Sequence, residues 1–403
     1  MQNGKALNRR RHQCNVLVYW SHYNGCNGEA LTSPTKKRKV DAAEQADMFL
    51  DRLKALQPAL PDRPRRPYVY GELPFVVDWE VFRVDHFMSL NLDDARAWQV
   101  EQLRPHAHSP RMIWDRLRQR AEKTSIADVG SVNMPPETSN RVYESLAGKG
   151  WKDGRVHLSL KMSISSRGAI SYDVHPLKLS SSRRAYRRFG SDRFIMITIP
   201  KPEYQRYIPV VLEFLSEHLQ ICGRTYQVFF VKDSKESCTA HYFATHGAGL
   251  EKAEWSRNAL MQWLISLEKN KDNSAAKLWS RISLSLSSTT PSVVFAPEEI
   301  RLVPDITSPT NECMTDGCAK ASPAVFREIW QSGVRASKET PTAVQGRIGG
   351  AKGVWYLDPE ADIRSDEKWV EIRPSQLKYK YNKTIFRMDE MLRTLVFLFL
   401  CSD

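Results

Sequence analysis

The chain has 403 residues, of which 41% are hydrophobic and 26% charged, with a formal net charge of +13 and a pI near 9.4. That length leaves room for two or three domains with a buried core, and the charge points to a polyanionic partner, nucleic acid before any other. Seven thinly spread cysteines argue against a disulfide framework, the N-terminus lacks the apolar core of a signal peptide, and no apolar run approaches the roughly 20 residues that span a bilayer, so a soluble intracellular protein without membrane contact is expected.

Residues 1–45 are polar and basic, with one isolated apolar run at 16–20, and read as a disordered leader. Cys14 and Cys26 sit there with His12 and His22, but no zinc-finger spacing is met. Between Pro34 and Val40 the cations Lys36, Lys37, Arg38 and Lys39 resemble a monopartite nuclear localisation signal; a solvated charge run is the alternative. Nuclear residence is therefore preferred over cytoplasmic.

From Ala42, apolar residues at 48, 49, 53 and 56 predict a helix that prolines at 58, 61, 64 and 67 terminate. Phe75–Val77 and Glu80–Val84 read as strands. Ser109 and Pro110 then supply the N-cap and first position of a helix with Met112, Ile113 and Leu117 on one side, and Trp114 is expected in the core. Residues 125–150 read as a loop giving way to a helical turn near Tyr143.

Paired strands are predicted at Arg155–Leu160 and Ala169–Val174. Next, Arg183, Arg184, Arg187, Arg188 and Arg193 interleave with Tyr186, Phe189 and Phe194. Arginine forks bind phosphate and stack on bases, so this stretch is a candidate RNA-tracking surface, with a purely structural role equally open. Phe194–Ile199 reads as a strand, Pro209–Leu219 as a helix closed by Gly223, and Arg224–Val231 as an interior strand. His241 and His246 have no carboxylate or cysteine constellation beside them in sequence and are expected to be structural.

An amphipathic helix is predicted over 251–268 with Leu260, Trp263, Leu264 and Leu267 on its buried face. Arg281–Ser287 alternates apolar and polar residues like a strand, and Thr289-Thr290-Pro291 turns into Val293–Phe295. Cys313 and Cys318 bracket a turn as two free thiols. Ser322-Pro323 starts a short helix carrying Phe326, Ile329 and Trp330, stopped by Gly333.

The chemistry concentrates between Gln345 and Lys380. Glycines at 346, 349, 350 and 353 free the backbone for close approach to a ligand, while Arg347 and Lys352 supply positive charge. A Walker A loop is disfavoured: Ala351 stands where its second glycine belongs, and Gly353 follows Lys352 in place of the magnesium-holding hydroxyl. A glycine-rich hairpin with incidental charge is the bland alternative. Trp369–Arg373 alternates like a half-buried strand, and Pro374 ends it before a second basic cluster, Lys378 and Lys380.

QGRIGGAKGVW and WVEIRPSQLKYK, with SRISLSLSSTTPSVVF, MTDGC and the RRFGSDRF run upstream in order, resemble the eukaryotic cellular RNA-dependent RNA polymerases of RNA silencing, fungal branch, from about Tyr172 to Lys380. The resemblance implies a fold of α+β class. In it an N-terminal mixed α/β region precedes a double-psi β-barrel-like segment, with Arg347, Lys352 and Lys378 as the catalytic-site cations facing nucleotide and RNA phosphates and Arg373 as a further RNA-binding residue. It also implies an RNA template, nucleoside triphosphates and RNA-silencing proteins as partners, and Mg2+ for the full-length enzyme. That enzyme's metal-binding DxDGD string does not occur in this chain. Asp316 is a lone aspartate, and Asp358, Glu360 and Asp362 lie beside Pro359 in what reads as a solvated loop. The second, catalytic barrel is accordingly expected to be absent, no metal is expected to bind this chain alone, and the chain alone is expected to be inactive.

The resulting division is a leader (1–45), an N-terminal α/β region (46–275), a first-barrel segment (276–380) and an atypical apolar tail (381–403). Exposed, the run Leu395–Leu400 would invite aggregation; buried, it needs a partner surface, and it suggests truncation or an altered reading frame. The leading function is template-directed nucleotidyl transfer making double-stranded RNA. A non-catalytic RNA-binding module and a poorly folded defective product are the alternatives.

Overall fold

A computed structural model describes residues 69–88, 100–124, 134–250, 255–332 and 340–397. The basic leader with Lys36, Lys37, Arg38 and Lys39, its Cys14, Cys26, His12 and His22, the helix expected after Ala42, Gly333 and the last residues, 398–403, lie outside them. The architecture is mixed α+β, built on two seven-stranded sheets.

The first sheet has the order β2-β1-β4-β7-β6-β5, with the short β3 on β1. Its strands are β1 (Val156–Ile164), β2 (Ile170–Val174), β3 (Lys178–Leu179), β4 (Phe194–Pro200), β5 (Leu219–Ile221), β6 (Arg224–Asp233) and β7 (Ser237–Gly247). All neighbours are antiparallel except β1 and β4. The expected pair at 155–160 and 169–174 is thus present, in a register that sets Leu160 opposite Val174. Tyr226, Phe229, Tyr242 and Phe243 are fully buried, as the apolar reading of this region requires.

Several local readings change. Phe75–Met88 is one helix where two strands were expected. Trp79, Val81 and Val84 are buried, but so are Asp78, Glu80 and Arg83, so no single apolar stripe exists to reveal the helical period. The Glu80 to Arg83 ion pair, at 2.5 Å, satisfies the two charges inside. Pro110–Thr124 is the expected helix, with Ile113, Trp114 and Leu117 buried, yet Met112 faces outward. Helix Ile208–Ser216 ends earlier than predicted because Glu217 turns extended, and Gly223 instead closes the β5–β6 hairpin beside Cys222, whose φ is 51°. The amphipathic helix spans Arg257–Leu264, capped by the Ser256 hydroxyl, with Leu260, Trp263 and Leu264 buried as expected; residues 251–254 are outside the described set.

The largest correction is at Arg281–Ser287, which belongs mostly to a helix, Ala275–Ser285, capped by Ser274. Its serines mimic strand alternation. Ser285 in the helix and Ser287 just past its end bond back to the carbonyls of Arg281 and Ser283, at 3.4 and 3.3 Å, so the hydroxyls cost little there.

The second sheet runs β8-β14-β11-β12-β10-β13-β9. It comprises β8 (Thr290–Val294), β9 (Ile300–Leu302), β10 (Cys318–Ala321), β11 (Ala343–Ile348), β12 (Ala351–Leu357), β13 (Val370–Ile372) and β14 (Thr394–Phe397). Strands β10 and β12 are parallel, as are β13 and β9. Helix Pro323–Gln331 lies between β10 and β11 in the chain and packs Val325, Phe326 and Ile329 against Trp355, Ile372 and Leu395 in one core. Trp330, expected on that face, is only half-buried. Cys313 and Cys318 are free thiols.

The described part of the apolar tail, through Phe397, finds its partner surface in this chain. Strand β14 inserts between β8 and β11, with Leu395, Val396 and Phe397 buried. Burial of three such side chains contributes on the order of 5 kcal/mol.

Candidate nucleic-acid interface

Strands β11 and β12 form a two-residue hairpin whose turn is Gly349-Gly350. Gly349 has φ +54°, and a Cβ on Gly350 would sit 2.3 Å from the Tyr379 carbonyl, so both positions need glycine. The amide of Lys378 donates to Gly350 O at 2.9 Å and Leu377 bridges Ala351, which lays the QLKYK segment directly against the turn.

The hairpin register sets Arg347 opposite Lys352. Like charges at such a position destabilise a ladder unless an anion offsets them. Both residues line one small cleft with Lys378 and Arg184, and neither Asp nor Glu is among its described lining residues. The three expected cations, Arg347, Lys352 and Lys378, therefore share a single cavity.

Their free donors differ. Arg347 gives Nη1 to Leu284 O at 2.5 Å, and its Nε is buried with no partner. Burial pulls this guanidinium below its usual range, with Tyr379 partly offsetting and Arg184 adding to the shift, yet an arginine stays cationic at neutral pH. Lys378 donates to Ser375 O at 3.0 Å. Lys352 is half-buried and makes no hydrogen bond or ion pair among the described residues. A lysine held unpaired beside two other cations is a ready ligand for phosphate.

Arg184 was expected on an RNA-tracking surface. Instead it is buried, donating Nη1 to Gly349 O and Nη2 to Tyr379 Oη, each at 3.1 Å, with its guanidinium over Trp263. Its neighbours on the helix Arg184–Phe189 are also occupied. Arg187 donates to Thr289 O at 2.9 Å, and burial, then the charge of Arg184, lowers it to about 10. Arg188 pairs with Asp389 at 2.5 Å. Arg183 bonds Tyr186 Oη at 3.1 Å, and Arg193 bonds Ala244 O at 3.3 Å. Arg373 is buried against Pro304 O and Glu371. In six residues of similar chemistry, then, the structure commits donors to protein acceptors and joins only Arg184 to the cleft. Alternation of arginine with aromatics signalled contact with π-faces correctly, but those faces are protein rings, such as Tyr186 under Arg183 and Trp255 under Arg188.

Sequence reasoning missed Tyr379 and Ser285. Tyr379 Oη donates to Gly349 O at 3.1 Å and receives a bond from Ser285 at 3.2 Å, so the cleft rests on a helix whose sequence reads as a strand. The signal available was the tyrosine between two lysines in QLKYK.

The cleft's donor set is guanidinium, ammonium, hydroxyl and carbonyl, which does not fit a divalent cation, and no group of three potential metal ligands occurs among the described residues. Asp358 instead pairs with Lys320 at 3.0 Å, and Glu360 is exposed. Among the described residues no helix is long and apolar enough to cross a membrane.

The structure is similar to the RNA-dependent RNA polymerase QDE-1 from Thielavia terrestris, with a TM-score of 0.68 and 28% identity over 85% of this chain and 37% of that one. A probable RNA-dependent RNA polymerase 1 of rice, Oryza sativa subsp. japonica, is 25% identical over 171 residues, 42% of this chain and 21% of the relative. The chain thus spans between a fifth and two fifths of the length of these relatives. The profile of the RNA dependent RNA polymerase family matches residues 170–396, past the Lys380 limit expected from motifs and into β14. With more than half its residues inside that match, the chain belongs to the RNA-dependent RNA polymerase family.

Proposed function

We propose that this chain carries the phosphate-binding wall of a nucleotidyl-transfer centre that makes double-stranded RNA on an RNA template in RNA silencing. The observation that carries the reading is the Arg347 and Lys352 pair, held opposite each other in one ladder and lining a cleft with no carboxylate among its described residues. In this reading the second sheet, with the helices around it, is the double-psi barrel-like segment, and the region before it is the N-terminal α/β part. Phosphoryl transfer spreads negative charge over the transferring group, and fixed cations stabilise that charge without reorganising.

Arg347, anchored on Leu284, gives a fixed charge; Lys352 and Lys378 give adjustable ones. Arg184 and Tyr379 hold the Gly349 carbonyl and with it the turn. Magnesium supplies Lewis-acid chemistry in such a reaction. The cleft has no ligands for it, so the contribution of these residues is charge neutralisation and positioning, and the chain by itself is proposed to be inactive. The absence of carboxylates is equally the observation that favours the second reading, a non-catalytic RNA-binding module.

The test is RNA binding and template-directed incorporation by the purified chain with Mg2+. Expected are salt-sensitive binding, weakened about tenfold or more by Lys352→Ala with Lys378→Ala, and no incorporation. Unchanged binding by that double variant removes the phosphate-wall reading; incorporation by the wild-type chain removes the claim of inactivity.

A further inference from the structure

A second basic surface is separate from the cleft, sharing none of its lining residues. An open groove of about 980 Å³ runs between the helix Asn140–Gly148, the start of β1, the segment around β3 and the first residues of β8. Arg141, Lys149, Arg155 and Lys178 line it, all exposed. None of the four makes an ion pair or side-chain hydrogen bond among the described residues. Elsewhere on this chain exposed arginines such as Arg104, Arg111 and Arg301 have carboxylate partners. Unpaired cations gathered in one concave site repel one another, and a bound polyanion relieves that repulsion.

Two acids line the groove as well. Glu137 is committed to Arg111 at 2.5 Å and Arg118 at 3.9 Å, both on the helix Pro110–Thr124, leaving Asp153 as the one lining carboxylate without such a pairing. The floor is rigid. Ser182 donates to Asp153 O at 2.6 Å and accepts from Arg187 at 2.9 Å, while Ser182 O accepts from Thr289 N at 2.8 Å and Arg155 O from Ser180 N at 2.8 Å. Arg187, 7% exposed, has a buried Nε with no partner. Arg184 and Arg187, on one short helix, thus line the cleft and the groove respectively.

Among the described residues no aromatic side chain lines this groove. Single-stranded RNA is gripped largely by stacking its bases on aromatic platforms, which the described lining does not offer. A duplex turns its bases inward and offers phosphates and 2′-hydroxyls, for which unpaired cations and the hydroxyls of Ser139, Ser180 and Ser181 are matched partners. We infer that this groove binds the sugar–phosphate backbone of double-stranded RNA, independently of base sequence. The site goes beyond the cleft: it requires no nucleotide chemistry and shares none of the residues that test it.

The experiment is fluorescence anisotropy with a blunt RNA duplex of about 16 base pairs and a single strand of the same sequence, over a salt series, using the full chain. In the variant Arg141→Ala, Lys149→Ala, Arg155→Ala, Lys178→Ala the duplex affinity is expected to fall at least tenfold. The slope of log affinity against log salt is expected to drop by about 3 to 4, close to 0.9 for each phosphate left without its cation. Arg155→Glu with Lys178→Glu, both at strand edges, should reproduce the loss. Single-strand binding should change less, and Lys352→Ala with Lys378→Ala should leave the groove's part of the slope intact. Unchanged duplex affinity and slope in both groove variants overturn the inference. So does a larger loss for the single strand, or competition by polyglutamate as effective as that by duplex. Because the cleft and groove variants are separate proteins, failure of one reading is visible without the other.

Discussion

Arg184 and Tyr379 stand 195 positions apart and meet on one acceptor, the Gly349 carbonyl, each at 3.1 Å, while the guanidinium also donates to the phenol at 3.1 Å. A helix that follows the start of the first sheet is thereby joined to the turn of the basic hairpin in the second. The residues that hold the cleft in shape are thus distinct from those left free to meet a ligand.

Removing one side of this joint has a graded effect. Tyr379→Phe loses bonds to Gly349, Ser285 and Arg184 but keeps the ring, and should cost about 1–2 kcal/mol. Arg184→Ala also loses packing over Trp263 and should cost about 2–4 kcal/mol. Urea unfolding of the two variants measures the order.

The turn tolerates no side chain at Gly350. Alanine there places Cβ 2.3 Å from a backbone oxygen, which cannot swing aside, so a loss of about 3 kcal/mol or more is expected, with weaker RNA binding. Gly148, with nothing within 4 Å of a Cβ, provides the contrast. Gly148→Ala, in a helix, should be neutral or stabilising by up to about 1 kcal/mol in the same urea assay.

Acid should weaken the fold before most carboxylates titrate. Burial, then the charge of Arg183, lowers His157 to about 4 and His241 to about 3, so both are neutral when folded and take protons when unfolded. Their contribution is complete above about pH 6.5 and is lost as the pH falls toward those values, at up to about 1.4 kcal/mol per pH unit for each. The urea midpoint should fall between pH 7 and pH 5, and His241→Phe, set between Phe229 and Phe230, should flatten that fall by one histidine's share.

Asp389 fastens the last strand. It accepts from Arg188 at 2.5 Å and Trp263 at 2.9 Å, and caps the helix Glu390–Arg393 through Met391 N at 3.0 Å. Asp389→Ala leaves a guanidinium and an indole without their acceptor and should cost about 2–3 kcal/mol. Limited proteolysis should then cut after residue 380 faster than in the wild type; an unchanged rate would show that β14 is held by its sheet alone.

Short-range chemistry was legible where local rules act alone. The Gly349-Gly350 turn, the proline-led helices at Pro110 and Pro323 and strands β1, β2, β4 and β6 of the first sheet follow from turn residues, caps and alternation, whereas β3, β5 and β7 were not read. Phe75–Met88 and Ala275–Ser285 do not read as helices because full burial and back-bonded serines erase the helical stripe. Arg187 and Arg373 look like exposed phosphate ligands in sequence because nothing local reveals that Thr289, Pro304 and Glu371 will claim them.

The sequence by itself determined which residues carry charge, where the backbone turns on glycine and which family the motifs resemble, since these depend on residue type and spacing. Only the tertiary structure decided which cations stay free. Arg347, Lys352 and Lys378 converge because the hairpin register and the Gly350 contact bring residues 347 to 378 together, whereas most of the upstream arginines are consumed where the two sheets join. Hydrogen-bond donors are assigned by distance in space, and no sequence interval encodes that distance.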